Sequence, residues 1–158
     1  MTNKVTNVVV AGLGGQGVLK ASDILGEAVF LSGLDIKKAE IHGMSQRGGS
    51  VNSDVRFGER VDSPMVPDGL TDYLVVLSED QIDNNIHRLR EGGVLIVPEN
   101  IDKKSLSNPK SLNVALLGVL SSHLAIEEKF WMEAIYANLP EKIHEVNKAA
   151  FALGRESA

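Results

Sequence analysis

The chain has no cysteine. That removes structural disulfides, thiolate nucleophiles and iron–sulfur ligation from its own chemistry, and it fits a reducing compartment. No apolar run approaches the roughly 20 residues that a membrane-spanning helix needs. Met1 to Thr6 is polar, unlike a secretory leader. The expectation is a cytoplasmic protein with no membrane partner. Aromatic residues make up 4% of the chain, and 16 basic residues face 21 acidic ones for a formal charge of −5. An acidic chain with so few stacking surfaces is poorly suited to nucleic acid. No histidine or carboxylate spacing matches a zinc site, so the isolated chain is expected to be colourless and free of stoichiometric metal. Repeats, linkers and low-complexity stretches are also missing. At 158 residues the chain is read as one domain, 1–158, large enough to bury a real core.

What the chain has is glycine, concentrated in two loops. The first, Gly12-Leu13-Gly14-Gly15-Gln16-Gly17, follows the apolar run Val8 to Ala11 and opens a helical pattern with Val18, Ala21, Leu25, Ala28 and Val29 on one face. Gly33 is its stop. The second, His42-Gly43-Met44-Ser45-Gln46-Arg47-Gly48-Gly49-Ser50, follows a weaker strand, Ile36 to Ile41. Leaving the C-terminal ends of adjacent parallel strands, the two loops would lie side by side, where α/β sheets bind ligands.

Downstream, Val51 to Phe57 alternates as a half-exposed strand, and Gly58-Glu59 suggests a hairpin returning over Arg60 to Met65. Tyr73 to Leu77 reads as a buried strand. Ser78 to Gln81 has the form of a capping box, opening a helix that runs to Arg90 and stops at Gly92-Gly93. Val94 to Val97 is a further strand and Asn100 to Ser111 a loop. Helices are expected over Val114 to Leu124, over Glu127 to Asn138, and from Pro140 to a stop at Gly154. Strands alternating with helices define an α/β fold: a three-layer α/β/α sandwich, Rossmann-like, with a mostly parallel but mixed sheet.

Gly12, Gly14 and Gly17 satisfy the dinucleotide fingerprint, in which glycine permits close backbone approach and the helix N-terminus offers N–H groups to an anion. Glu40 lies about where a ribose-binding acid is sought. The same glycines also fit a tight turn that binds nothing. An adenylating domain of the ubiquitin-activating type would be expected to use cysteine. A dehydrogenase would need a substrate domain, and little chain remains to build one. Arg47 suits bidentate recognition of phosphate or carboxylate, and equally suits an exposed loop. His42 is an acid–base candidate or a strand-end residue. Trp131 and Phe130 read as core. The candidate binding residues are Gly12, Gly14, Gly15, Gln16, Gly17, Ser45, Gln46, Arg47, Gly48, Gly49 and Ser50, with no catalytic residue and no metal ligand assigned.

Together the two loops resemble the gamma-type domain of the 2-oxoacid:ferredoxin oxidoreductases. The resemblance rests on Ala11 to Val18, His42 to Val51, Asp54 to Gly58, Ser63-Pro64, Gly69 to Leu74 and Asn108 to Asn113, and spans roughly Val8 to Phe151. The form of the second loop is similar to that of the indolepyruvate oxidoreductase beta subunit. The resemblance implies a three-layer fold and a role, inside a larger assembly, in oxidative decarboxylation of a 2-oxoacid to an acyl-coenzyme A. Thiamine diphosphate and iron–sulfur clusters would sit in larger partner subunits, electrons would pass to ferredoxin, and coenzyme A would be a substrate. The segment between Val97 and Asn113 is shorter than the family's usual one, which leaves the strand count open. Two rival readings stand beside this one: a free-standing nucleotide-binding protein, and an interaction module without chemistry.

Overall fold

Val8, Val9, Val10 and Ala11 form an unbroken apolar run, and in the computed structural model, which describes residues 4–43 and 49–158, none of them is exposed. They occupy the middle of β1 (Val5–Leu13), the central strand of a five-stranded sheet ordered β2-β3-β1-β4-β5. A strand covered on both faces has no polar side to alternate with, which is why its sequence is continuous. β2 is Asp35–His42, β3 Ser50–Gly58, β4 Thr71–Val76 and β5 Leu89–Ile96. β1 pairs parallel with β4, and β4 with β5, while β3 runs antiparallel to both β1 and β2. Four strands thus share one direction and β3 opposes them, giving the mixed sheet expected.

One face of the sheet carries the main core. α1 (Val18–Leu31) and α3 (Leu112–Ser121) pack there over Val8, Val10, Val55, Val75 and Ile96. α4 (Glu128–Asn138) lies against α1, and α5 (His144–Ser157) against α3. Trp131 is fully buried beside Phe151, so its reading as core holds. α1 ends at Gly33 (φ +94°), whose N–H donates to Phe30 O while Leu34 N–H donates to Val29 O, the paired bonds of a Schellman stop. The other face is thinner. A short helical stretch, 79–88, centred on α2 (Ile82–Asn85), covers Val9, Ala11, Leu74 and Val76 together with Val66.

Several expectations are corrected. The two loops do not leave neighbouring strands, because β3 lies between β1 and β2. The partner of Val51 to Phe57 is therefore the preceding strand β2, in a hairpin closed by the second loop, and residues 60–65 form no strand. Ser78 does not cap a helix: its hydroxyl donates to Asp80 Oδ1 at 2.6 Å. Gly92 and Gly93 lie within β5, which begins at Leu89 and carries an irregularity opposite Thr71 to Tyr73. Gly154 does not stop the last helix but sits inside it, buried against α3.

Arg88, late in the helix expected to run to Arg90, has from sequence the place of a base suited to the helix dipole, yet it is buried. Its guanidinium donates to both Asp54 oxygens, at 2.8 and 2.7 Å, and to Val66 O at 3.0 Å, while Asp54 also accepts from Val66 N–H at 2.9 Å. The Asp54 hydrogen bonds raise the Arg88 pKa above its ordinary value. A raised pKa means stability that is fully present below the ordinary arginine value, so this cluster holds the 60s loop to the sheet across the neutral range. Asp35 caps that loop's other end by accepting from Val61 N–H at 2.8 Å, a bond that lowers its pKa. That contribution is present above the usual aspartate pKa and fades as pH falls through the lowered value.

Candidate functional site: the paired glycine loops

β1 delivers Leu13 to the C-terminal end of the sheet, where the chain must reverse into α1 within four residues. Gly15 (φ +89°) and Gly17 (φ +83°) adopt left-handed backbone to make that turn. Gly14, between β1 and these two positions, has no positive φ. Gln16 does not reach outward: its Oε1 accepts from Leu13 N–H at 2.7 Å and closes the turn on itself. A side chain at Gly12 would meet Gln16 and Val18, so this glycine serves close helix–strand packing. Gly14 N–H donates to Gly49 O at 2.9 Å, which joins the first loop to the second. The expected juxtaposition is therefore real, though it arises from β3 pairing with both β1 and β2. Leu13 faces Ser50 and His42 faces Val51 across the two ladders. Ser45, Gln46, Arg47 and Gly48 fall outside the described residues.

Asn113, at the start of α3, was not singled out as a site residue. Its Nδ2 donates to Gly17 O at 3.2 Å, pinning the first turn of α1 from a position 96 residues away. Asn108-Pro109 prepares this. Asn108 Oδ1 accepts from Lys110 N–H at 2.9 Å, in a tight turn that brings Lys110 to the loop's flank. The Asn-Pro pair was the available signal, since such a pair marks turn initiation. Two clefts result. One, about 430 Å³, lies between Gly15 to Gly17, Leu77 and Lys110. The other, about 460 Å³, lies between Gly14, Lys20, His42 and Val51. Each brings one lysine beside the N-terminus of α1, whose first N–H groups have no intrahelical acceptor. The site can hold an anion.

It cannot be a conventional dinucleotide site. That geometry needs the second strand beside the first, carrying the ribose-binding acid to the same crevice. Here β3 intervenes, and Glu40 is exposed on edge strand β2. Among the described residues no group of three histidines and carboxylates could hold a metal.

Gly17→Ala and Gly15→Ala separate backbone from packing. Both incur the left-handed penalty of about 1–2 kcal/mol. Only at Gly17 would the added methyl overlap the Asn113 amide; at Gly15 it meets open space. Urea unfolding should show the Gly17 variant as clearly the less stable. Equal losses would mean that Asn113 does not hold the loop.

A glycine-rich strand-to-helix turn is thus clipped to a hairpin end on a small mixed α/β sheet. The chain belongs to the pyruvate ferredoxin/flavodoxin oxidoreductase family, whose description matches residues 7–110. It is 32% identical to the indolepyruvate oxidoreductase subunit IorB of Thermococcus kodakarensis, covering 96% of this chain and 95% of that one. It is 33% identical to the 2-oxoglutarate synthase subunit KorC of Methanocaldococcus jannaschii, covering 94% and 91%. Its fold matches the gamma subunit of keto/oxoacid ferredoxin oxidoreductase from Geobacter sulfurreducens PCA with a TM-score of 0.83 at 25% identity, covering 97% and 98%. The first alignment runs over 192 positions against a chain of 158, so that relative carries residues this one lacks.

Proposed function

We propose that this chain is the small subunit of a 2-oxoacid:ferredoxin oxidoreductase acting on an arylpyruvate such as indolepyruvate, and that it has no turnover alone. Family membership supports the oxidoreductase reading. The clipped pair of loops carries the rest: a helix N-terminus suited to an anion, joined through Gly49 to the chain segment that links β2 to β3. In this reading they receive the phosphate-bearing part of coenzyme A and dock the thiamine-binding subunit. Without cysteine, and without a metal-ligand cluster among the described residues, the chain does not fit as holder of an iron–sulfur cluster. Thiamine diphosphate and the clusters belong to larger partners, through which ferredoxin is reached. The second face adds contact surface: Ile41, Met65 and Ile86 are 41%, 47% and 42% exposed. Asn52, opposite Ile41, bonds Asn85 at 2.9 Å, which puts Ile41 on the face of the sheet that carries the 79–88 stretch and its Ile86. Methionine suits such adaptable surfaces. The form of the second loop supports the arylpyruvate assignment.

Arg47→Ala tests the site. A charge-assisted hydrogen bond is worth about 1.5–3 kcal/mol, so turnover of the reconstituted complex should fall roughly 10- to 150-fold. Thermal melting of the isolated variant should be unchanged. Turnover should be compared on indolepyruvate, pyruvate and 2-oxoglutarate. Preference for either of the last two would overturn the substrate assignment. Binding of NAD by the isolated chain would favour the free-standing nucleotide binder. Hydrogen exchange with and without the larger subunit should show protection across His42 to Ser50. Protection confined to α5 would remove the docking role.

A further inference from the structure

The sheet has an open edge at β2, and its sequence, Asp-Ile-Lys-Lys-Ala-Glu-Ile-His, is charged in a particular order. β2 pairs with β3 along its whole length, Asp35 to His42, without a bulge. Gly43 N–H donates to Ser50 O at 2.6 Å. Antiparallel hydrogen bonding alternates along a strand. Asp35, Lys37, Ala39 and Ile41 therefore spend their backbone groups on β3. Ile36, Lys38, Glu40 and His42 turn theirs to the open edge.

We propose that two copies of this chain join through β2, edge to edge and antiparallel, in the single register centred on Ala39. A two-fold axis normal to the sheet keeps each face continuous, so a residue can oppose only residues on its own face. Few registers then preserve most of the strand. Centring on Lys37, Lys38 or Glu40 sets each of those charges against its own copy, which is repulsive. Centring on Ala39 sets Lys38 against Glu40 of the second copy, twice. It also places Lys37 against Ile41, Ile36 against His42, and Ala39 against Ala39. Lys38 and Glu40 are residues whose backbone groups face the open edge, so the charge match and the hydrogen-bond match coincide.

Lys38 is already oriented by its ion pair with Asp23 on α1, while Glu40 is exposed and has no partner among the described residues. Beside the edge runs a groove of about 550 Å³ floored by Ile36 and walled by Phe30, which is 65% exposed. Pairing would bring this groove against its own copy. Lysine on an edge strand ordinarily keeps strands apart. Here an acid two residues later converts the same lysine into a selector for one register. The edge shares Ile41 with the second-face contact surface and His42 with the cleft beside Lys20, but the charge pairing at Lys38 and Glu40 uses neither residue.

Sedimentation equilibrium of the full chain, at up to about 100 μM because one strand pair is a small interface, should show a dimer. Glu40→Lys should weaken it at least tenfold, and the double variant Lys38→Glu/Glu40→Lys should restore it. Glu40→Pro removes an outward N–H but none of the bonds to β3, so it should give a monomer that melts like the parent. A parent chain that stays monomeric throughout, as edge blunting by lysine would produce, overturns the proposal. So does a dimer that survives both Glu40→Lys and Glu40→Pro.

Discussion

Asp54→Ala is expected to cost about 3–5 kcal/mol of folding stability, out of a total of about 5–15 for a domain of ordinary stability. Asp54 has no exposed surface and Arg88 is 7% exposed. Removing the carboxylate leaves a guanidinium with only Val66 O at 3.0 Å and the solvent-side Asp68, 3.5 Å from Nε. It also strands Val66 N–H, which donates to the same carboxylate. The cost arises from an uncompensated buried charge, more than from loss of the attraction itself. Urea denaturation checks the size. A loss below about 1 kcal/mol would mean that Arg88 swings out to Asp68 and takes the 60s loop with it. The double variant Asp54→Leu/Arg88→Met should recover much of the loss, since a packed apolar pair avoids the desolvation penalty.

Gly154→Ala should destabilise by about 1–2 kcal/mol, against a simple propensity argument. In an exposed helix interior that change is worth up to about 1 kcal/mol in the stabilising direction. At Gly154 the new methyl would overlap the Ala115 carbonyl oxygen and lie 2.9 Å from Val119 N. These are backbone atoms of α3, so relief requires the two helices to separate. Gly118 faces the same contact, with Gly154 Cα 3.0 Å from where its own Cβ would be. Overpacking of this kind costs about 1–3 kcal/mol and exceeds the propensity gain. A variant that melts above the parent would show that α3 and α5 can part without loss.

The sequence was legible where one physical signal dominated. The buried strand at Val8 to Ala11, the helix after Gly17 and its stop at Gly33 all followed from apolar period and glycine placement. It misled where a local pattern had two readings. Gly154 looks like a helix stop because an interior glycine is unfavourable, and only the approach of α3 supplies its reason. Arg88 looks like a dipole-complementing cation because its partner, Asp54, is 34 residues away on another strand. The position of β3 was illegible for a topological reason. Alternation along Val51 to Phe57 reveals a strand but not its neighbours, and inserting it between β1 and β2 is what moves Glu40 away from the first loop. In the site, the glycines were visible as turn formers, whereas Asn113 acts across a separation of 96 residues that no local window spans.

The direction of the central strand decides where this domain can be tethered. β1 runs from Val5 up to the glycine loop, so chain preceding it emerges at the far end. α3 descends from Asn113, beside that loop, and α5 descends with it until Arg155 bonds Ser121 Oγ, at 3.0 Å, near the foot of the sheet. Both attachment points therefore face away from the paired loops. A reporter or a second domain fused before β1 or after α5 would hang from the base and leave the loop end unobstructed.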